Sequence, residues 1–196
     1  MTPKSMSIAA GAAALLVLLV VGLLQLAGGS SNTRTPSTLT LADMRAQLAG
    51  SPPQLAELHE QANEVLSGGL SALRARLSAL RGTPVVINKW ASWCEPCRAE
   101  FGVFQRVSVS RGREVAFIGI DSNDSRANAL AFLRSFPVSY PSYYDRSGQV
   151  GAAITDSGFT PVTVFYNRSG GLFIHQGPYP SVAKLEQDIR RYALDA

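Results

Sequence analysis

The two cysteines of this chain, Cys94 and Cys97, stand two residues apart between an apolar run and a helical pattern. The apolar run from Val85 to Trp90 predicts a buried strand, and the residues from Cys97 to Phe104 predict the helix that follows it. Unpaired N–H groups and the helix dipole stabilise a thiolate at a helix N-terminus. The pattern therefore predicts a redox-active dithiol, with Cys94 exposed at the helix mouth and Cys97 one turn deeper.

A zinc site, a structural disulfide and a pair of unrelated thiols are weaker interpretations of the two cysteines. A structural zinc site usually takes four nitrogen or sulfur ligands, and His59 and His175 are the only histidines available. A purely structural disulfide would close a very short loop, which removes little entropy from the unfolded chain. Two unrelated buried thiols would not explain the flanking Trp93 or Pro96, a residue that a first helical turn accepts.

The first 27 residues contain a long apolar segment, Ile8 to Ala27, that carries no charge. About 20 residues at a rise of about 1.5 Å match a hydrocarbon core of about 30 Å. We expect an uncleaved signal anchor over residues 1–27, with a cleaved signal peptide and a secreted product as the alternative. Lys4 precedes the segment, which favours a cytoplasmic N-terminus and a single-pass cell-membrane protein with its C-terminal domain extracytoplasmic.

The remainder of the chain divides into three parts. Residues 28–39 are rich in Ser, Thr, Gly and Pro and predict a flexible linker. Residues 40–82 predict a helical N-terminal segment in three pieces, interrupted at Pro52-Pro53 and Gly68-Gly69, with the second helix running to Leu66. A net charge of +4 is too small and too dispersed to indicate nucleic-acid binding.

Residues 83–196 alternate between strand and helix patterns. Further strands are expected at Val115–Ile120, Thr163–Asn167 and Leu172–Gln176, and further helices at Ser125–Phe136 and Val182–Leu194. This order predicts one α/β domain with a mixed central sheet and helices on both faces.

Three segments carry a resemblance to a known family: Asn88–Phe101, Phe117–Asp121 and Gly158–Pro161. They resemble the TlpA/ResA family of membrane-anchored, extracytoplasmic thioredoxin-like proteins, over roughly Val85–Leu194. The resemblance implies a thioredoxin-like fold and a protein thiol–disulfide oxidoreductase that reduces disulfides. Cys94 would form the mixed disulfide and Cys97 would resolve it, with no cofactor or metal besides this dithiol.

The resemblance also implies further site residues. Thr160-Pro161 matches the position where this fold holds a cis proline opposite the dithiol, and Thr160 would pair with an extended substrate segment. An ordinary trans proline at a strand entrance is the alternative. The remaining substrate-binding residues that we expect flank or separate the cysteines: Trp93, Glu95 and Pro96.

Two charged residues near the cysteines have open roles. Glu100, three residues after Cys97, lies on the same side of the helix, and the resemblance implies that it is a catalytic residue acting on the acid–base behaviour of the thiols. The alternative is a solvated acid that stabilises the helix dipole. Lys89 departs from the family pattern, which has an aromatic residue there, and Asp121 and Asp124 are its candidate partners.

The expected partners follow from the resemblance. Clients would be proteins with disulfides or thiols, such as apocytochrome c during haem attachment, and a transmembrane electron-donor protein would supply electrons. Redox direction depends on the reduction potential, so a disulfide-forming oxidant or isomerase is an alternative. A peroxiredoxin is less favoured, and a non-catalytic binding module is the alternative from another class. The aromatic residues of the Ser122–Tyr144 region could contact substrate or pack in the core: Phe136, Tyr140, Tyr143 and Tyr144.

Overall fold

The computed structural model describes residues 39–195. The helices are α1 (Leu41–Leu48), α2 (Pro53–Glu60), α3 (Gly69–Ala79), α4 (Glu95–Arg111), α5 (Arg126–Ser135), α6 (Gln149–Thr155) and α7 (Val182–Ile189). The strands are β1 (Val65–Leu66), β2 (Val85–Trp90), β3 (Ala116–Ser122), β4 (Ser142–Asp145), β5 (Val162–Tyr166) and β6 (Leu172–Gln176). A π-helical stretch, Arg190–Leu194, continues α7.

The strands form one mixed sheet in the order β1-β4-β3-β2-β5-β6. β1, β4, β3 and β2 are parallel, whereas β5 runs antiparallel to β2 and β6 antiparallel to β5. In the register of β2 with β5, Lys89 lies opposite Val162. The carboxyl end of β2, which leads to Cys94, therefore meets the start of β5, which follows Pro161. The antiparallel pairing of β2 with β5 therefore brings the predicted dithiol and the predicted cis proline to one edge of the sheet.

Alternation along the central strands separates two hydrophobic cores. Val86 and Trp90 of β2 pack against α4, α5 and α7 through residues such as Phe101. Val85 and Ile87 face the other way and pack against α2, α3 and α6. Every residue of β2 and β3 is buried, as expected for central strands covered on both faces. The predicted mixed α/β sheet with helices on both faces is confirmed.

Some predicted element boundaries differ from the structure. The second helix was expected to reach Leu66, but it ends at Glu60, and Val65–Leu66 instead form β1 beside β4. The short elements β4 and α6 have no counterpart among the predicted ones. Both β1 and β4 owe their strand conformation to neighbours distant in sequence, which a local pattern does not reveal.

The aromatic residues of the Ser122–Tyr144 region divide by burial. Tyr140 and Tyr143 are buried in the two cores, whereas Phe136 and Tyr144 are partly buried and pack against the first. Core packing is therefore the role that the structure supports for Tyr140 and Tyr143.

The predicted membrane anchor, residues 1–27, lies outside the described residues, as does the linker up to residue 38. Within residues 39–195, none of the helices combines the length and apolarity that crossing a bilayer requires.

Candidate active site

The dithiol lies at the N-terminus of α4, as the spacing of the cysteines predicts. Cys94 is the N-cap residue of this helix, and the backbone N–H of Cys97 donates to Cys94 Sγ over 3.2 Å. The two sulfurs are joined as a disulfide. Cys94 is only 3 % exposed, so the prediction of an exposed sulfur is wrong. A second segment covers it: the carbonyl oxygen of Thr160 lies 3.7 Å from Cys94 Sγ.

The first turn of α4 follows from its sequence. Pro96 occupies an early position, where its missing N–H costs no helical hydrogen bond, and Glu95 places an acid at the positive end of the helix dipole. Both residues are exposed, and Glu95 forms a 3.5 Å ion pair with Arg98. Such an exposed pair contributes little stability. Glu95 and Pro96 thus border the surface around the disulfide.

The segment that faces the disulfide is the loop of residues 156–160, which we call the docking loop. The Thr160-Pro161 peptide bond that ends it is cis, which confirms the prediction. Phe159, directly before Thr160, is 69 % exposed. In the reduced protein the thiol of Cys94 can donate to the Thr160 carbonyl, because the two are already within contact distance.

Trp93 directly precedes Cys94 and also borders the disulfide. Its side chain is 62 % exposed, and its Nε1–H donates to the carbonyl oxygen of Asn123 over 2.9 Å. Next to it, the backbone N–H of Ser92 donates to Asp124 Oδ2 over 2.6 Å. The loop after β3 therefore fixes the two residues that precede Cys94. Trp93 and Phe159, each next to a residue that forms or contacts the disulfide, present exposed aromatic surface at the site.

Glu100 is fully buried, so it is not the solvated acid that was the alternative to a catalytic role. Its Oε2 accepts the backbone N–H of Tyr179 over 2.9 Å. Burial raises the pKa of Glu100 to about 8, against the opposing effects of the Tyr179 amide and of the Asn88 side chain. At neutral pH the carboxyl is mostly protonated. It can therefore hold or release a proton near the pH at which thiols ionise.

Buried polar atoms cluster on the same face of the sheet as Glu100. Within residues 39–195, the atoms without a hydrogen-bond partner include Glu100 Oε1, both side-chain polar atoms of Asn88, the Tyr140 hydroxyl and Thr163 Oγ1. Burial and the charge of Glu100 raise the pKa of Tyr140, so this phenol stays neutral. Asn88 pairs with Thr163 across β2 and β5. The Glu100 carboxyl therefore lies among neutral polar groups.

The candidate partners proposed for Lys89 are wrong. Asp121 lies opposite Trp90 in the β2–β3 register, so it projects to the other face of the sheet from Lys89. Lys89 Nζ instead donates to the carbonyl oxygen of Ser157 over 2.8 Å. Asp121 has no hydrogen-bond partner for either oxygen among the residues that the structure covers, and burial together with Asp124 and Asp145 raises its pKa to about 8.

An aromatic cluster supports the site from beneath. Trp90, at the end of β2, packs edge-on against Phe101 and stacks on Phe132, each with ring centroids 5.1 Å apart. Its Nε1–H donates to Ser142 Oγ over 3.1 Å. The guanidinium of Arg98 lies 5.1 Å from the Phe132 ring centroid and covers the cluster from outside. The strand that carries Cys94 is thereby held against α4 and α5.

The structure brings seven of the predicted site residues to one edge of the sheet: Trp93, Cys94, Glu95, Pro96, Cys97, Thr160 and Pro161. The eighth, Glu100, is buried one turn beyond Cys97 on α4, where it contacts Tyr179. Sequence reasoning missed Phe159, Tyr179 and Asn123 as neighbours of the site. The position of Asn123, directly after a strand parallel to β2, is a signal that could have placed it at this edge. Nothing local marks Tyr179, which reaches Glu100 from 79 residues away. In the described residues, no group of three or more His, Cys, Asp or Glu side chains has metal-site geometry.

Comparison with known proteins places the chain in a family. The Redoxin family model matches residues 72–169, half of the chain. The thiol–disulfide oxidoreductase ResA of Bacillus subtilis (strain 168) is 31% identical over 98 residues, covering 50% of this chain and 54% of ResA. The thiol:disulfide interchange protein DsbE of Pseudomonas fluorescens biotype C is 34% identical over 92 residues, covering 46% and 49%. The chain spans about half the length of the curated relatives it matches.

Solved structures agree with the sequence comparison. A putative thiol:disulfide interchange protein DsbE from Chlorobium tepidum superposes with a TM-score of 0.54 at 25% identity, covering 59% of this chain and 83% of that one. The fold is accordingly thioredoxin-like, with the dithiol and the cis proline at the expected edge of the sheet. The chain belongs to the redoxin family, and it is similar to the ResA and DsbE proteins over about half of their length.

Proposed function

We propose that this protein is a thiol–disulfide oxidoreductase that exchanges disulfides with protein clients through Cys94 and Cys97. One observation carries the proposal: Cys94 Sγ accepts the Cys97 N–H at a helix N-terminus and also faces the Thr160 carbonyl. The first contact stabilises a thiolate, and the second places an extended backbone beside it. The similarity to ResA, a thiol–disulfide oxidoreductase, and to DsbE, a thiol:disulfide interchange protein, supports the same activity class.

The reductive half-reaction uses both sulfurs in turn. The Cys94 thiolate attacks one sulfur of the client disulfide, so that a Cys94–client bond forms while the client S–S bond breaks and one client thiolate leaves. The Cys97 thiolate then attacks Cys94 Sγ, which closes the Cys94–Cys97 disulfide and releases the second client thiolate. Two electrons pass from the protein to the client, and a dithiol donor must return them.

Glu100 has a role that fits this sequence of steps. The proton of Cys97 must leave before that sulfur can attack, and a leaving client thiolate takes up a proton. A buried carboxyl with a pKa of about 8, three residues along α4, can accept and return such a proton. We assign it this role as part of the proposal.

The proposal extends to the location, the client and the electron donor of the protein. We infer an extracytoplasmic, membrane-anchored reductase, supported by the uncharged segment Ile8–Ala27 and by the resemblance to the TlpA/ResA family. The proposed client is apocytochrome c, whose haem-attachment motif is Cys-x-x-Cys-His, and the proposed electron donor is a membrane protein that presents a dithiol.

Two measurements test the proposal. A Cys97→Ser variant lacks the resolving sulfur, so it should accumulate stable mixed disulfides with client proteins, whereas a Cys94→Ser variant should accumulate none. Mass spectrometry of the trapped species identifies the clients. A non-catalytic binding module would instead keep its full function in Cys94→Ser and trap nothing.

The reduction potential separates reductase from oxidant. Equilibration with glutathione or dithiothreitol buffers, read by alkylation of free thiols, should give a potential near that of thioredoxin, about −270 mV. A value near that of the strong oxidant DsbA, about −120 mV, would favour disulfide formation instead. Absence of any dithiol couple would end the catalytic proposal altogether.

A further inference from the structure

Lys89 is a buried lysine in the strand that carries the dithiol. It lies on the central strand β2, five residues before Cys94, and only 2 % of its surface is exposed. Its Nζ donates to the carbonyl oxygen of Ser157 over 2.8 Å. Burying an ammonium group without partners is costly, so a buried lysine needs a specific reason for its place.

The surroundings of Lys89 accommodate a long cationic side chain. A Cβ atom at Gly151 of α6 would lie 2.9 Å from Lys89 Cε, so a larger residue there would force the lysine side chain to move. Asp145 lies on the same side of the sheet, where its Oδ2 accepts from Ser122 Oγ over 3.0 Å and from the Gly151 N–H over 2.9 Å. Burial lowers the pKa of Lys89, and the charge of Asp145 opposes this effect in part.

The acceptor of Lys89 belongs to the docking loop, residues 156–160. Ser157 Oγ accepts the backbone N–H of Phe159 over 3.2 Å, and the Ser157 N–H donates to Thr155 Oγ1 over 3.2 Å. The Ser157 carbonyl oxygen thus accepts from Lys89 Nζ and, over a longer 3.3 Å, from Thr155 Oγ1, while the Ser157 hydroxyl accepts from the exposed Phe159. The next residue, Thr160, presents its carbonyl 3.7 Å from Cys94 Sγ. A continuous series of contacts therefore joins Lys89 to the Thr160 carbonyl, which covers the disulfide.

We propose that Lys89 is a positioning residue that fixes the docking loop for the client chain. β2 would then position both parts of the site. The dithiol follows its carboxyl end, and the Lys89 ammonium binds the docking loop that faces the dithiol. This inference rests on the proposed function, because the loop matters only if a client segment lies between Phe159 and Cys94. Lys89 touches neither sulfur in this arrangement and acts only through Ser157.

The kinetic test compares a peptide client with a small disulfide. Pre-reduced full-length protein, wild type or Lys89→Met, is mixed in detergent with an oxidised Cys-x-x-Cys-His peptide or with 5,5′-dithiobis(2-nitrobenzoate). In Lys89→Met, the peptide concentration that half-saturates the rate should rise roughly tenfold, because the loop is misplaced. The maximal rate, the rate with the small disulfide and the dithiol potential should stay unchanged.

An Ile118→Val variant is the matched control for loss of packing. Ile118 is buried on the same face of the sheet as Lys89, and it has no contact with the docking loop by hydrogen bond. This variant should leave the half-saturating peptide concentration unaltered. The inference is overturned if Lys89→Met also leaves the half-saturating peptide concentration unaltered. It is overturned as well if Lys89→Met shifts the dithiol potential and slows the reaction with both disulfides equally, since Lys89 would then act on the sulfurs.

A second readout does not depend on activity. The amide proton of Phe159 should exchange with solvent faster in Lys89→Met than in wild type, because its acceptor Ser157 then keeps only its hydrogen bonds with Thr155. Unchanged exchange at Phe159 would overturn the inference even in an active protein. If wild type exchanges no disulfide at all, the proposed function fails, yet this measurement still decides whether Lys89 holds the loop. Should Lys89→Met not fold, Gly151→Ala displaces the same side chain and takes its place.

Discussion

The backbone N–H of Cys97 donates to Cys94 Sγ over 3.2 Å, so a donor of the first turn of α4 is directed at the first cysteine. Cys97 has no such position, since it lies inside the helix and is fully buried. The two sulfurs of one motif are both buried, and they therefore differ in electrostatic environment rather than in access.

This difference predicts unequal alkylation of the reduced protein. Iodoacetamide at neutral pH should modify Cys94 well before Cys97, because the N–H of Cys97 and the helix dipole favour the thiolate of the first sulfur. Peptide mass spectrometry over time measures the two rates separately. A Cys97→Ser variant, which keeps the backbone N–H, should leave the rate at Cys94 high. Equal and slow modification of both cysteines would contradict the assignment of Cys94 as nucleophile.

Glu100 predicts a distinct pH dependence of stability. Its pKa rises from 4.5 to about 8 on folding. The folded chain therefore holds a proton that the unfolded chain has released over this window. The contribution of Glu100 is fully present below about pH 4.5 and is lost as the pH rises to about 8.

A Glu100→Gln variant removes this ionisation. Its free energy of unfolding, measured by urea denaturation at a series of pH values, should fall less than that of wild type over the same window, by a few kcal/mol. Glu95→Gln is the matched control, because Glu95 is exposed on the same helix and should leave the profile unchanged. A wild-type profile in Glu100→Gln would mean that the carboxyl is not protonated in the folded chain. Asp121 adds a similar slope to all of these variants.

The aromatic cluster predicts a large loss of stability on truncation. Phe132 of α5 packs on Trp90 and edge-on against Phe101, with centroids 4.7 Å apart in the second pair. A Phe132→Ala variant should lose about 3–5 kcal/mol of unfolding free energy, because it leaves a cavity beneath the site. Leu130→Ala on the same helix is the control, since Leu130 is exposed and should change little. Similar losses in both variants would place the cluster outside the stabilising core.

Trp93 predicts an effect on client reaction rather than on folding. Trp93→Ala should slow reaction with the oxidised peptide while sparing reaction with a small disulfide, because it removes exposed apolar surface beside Cys94. Trp93→Phe keeps a ring but loses the hydrogen bond to Asn123, so an intermediate peptide rate is expected. Loss of this hydrogen bond should lower the free energy of unfolding of Trp93→Phe by about 1 kcal/mol. Equal slowing with both disulfides would locate the role of Trp93 at the sulfurs.

Much of the fold around the dithiol was predictable because it is local. The apolar run of β2, the two cysteines and the start of α4 follow one another within 20 residues, and each has an unambiguous pattern. The short strands β1 and β4 were not predictable in this way. Each takes its conformation from a partner strand, and their residues also fit the helical and loop patterns around them.

Predictions about Lys89 and Glu100 show where sequence reasoning stopped. The sequence marks Lys89 as unusual in a buried strand, but which face it points to depends on register, and the register excluded Asp121. For Glu100, helical spacing predicted only that it lies on the same side of α4 as Cys97. Its burial and its contact with Tyr179 come from α7 and the loop before it, which return to α4 from far along the chain.

The sequence by itself determined that this chain has a strand–dithiol–helix unit, because hydrophobic periodicity and the cysteine spacing act over neighbouring residues. Only the tertiary structure decided what faces that unit. The antiparallel pairing of β5 with β2 brings Thr160 to Cys94 across 66 residues. The packing of α7 buries Glu100, and both arrangements are set by contacts between segments that no local pattern connects.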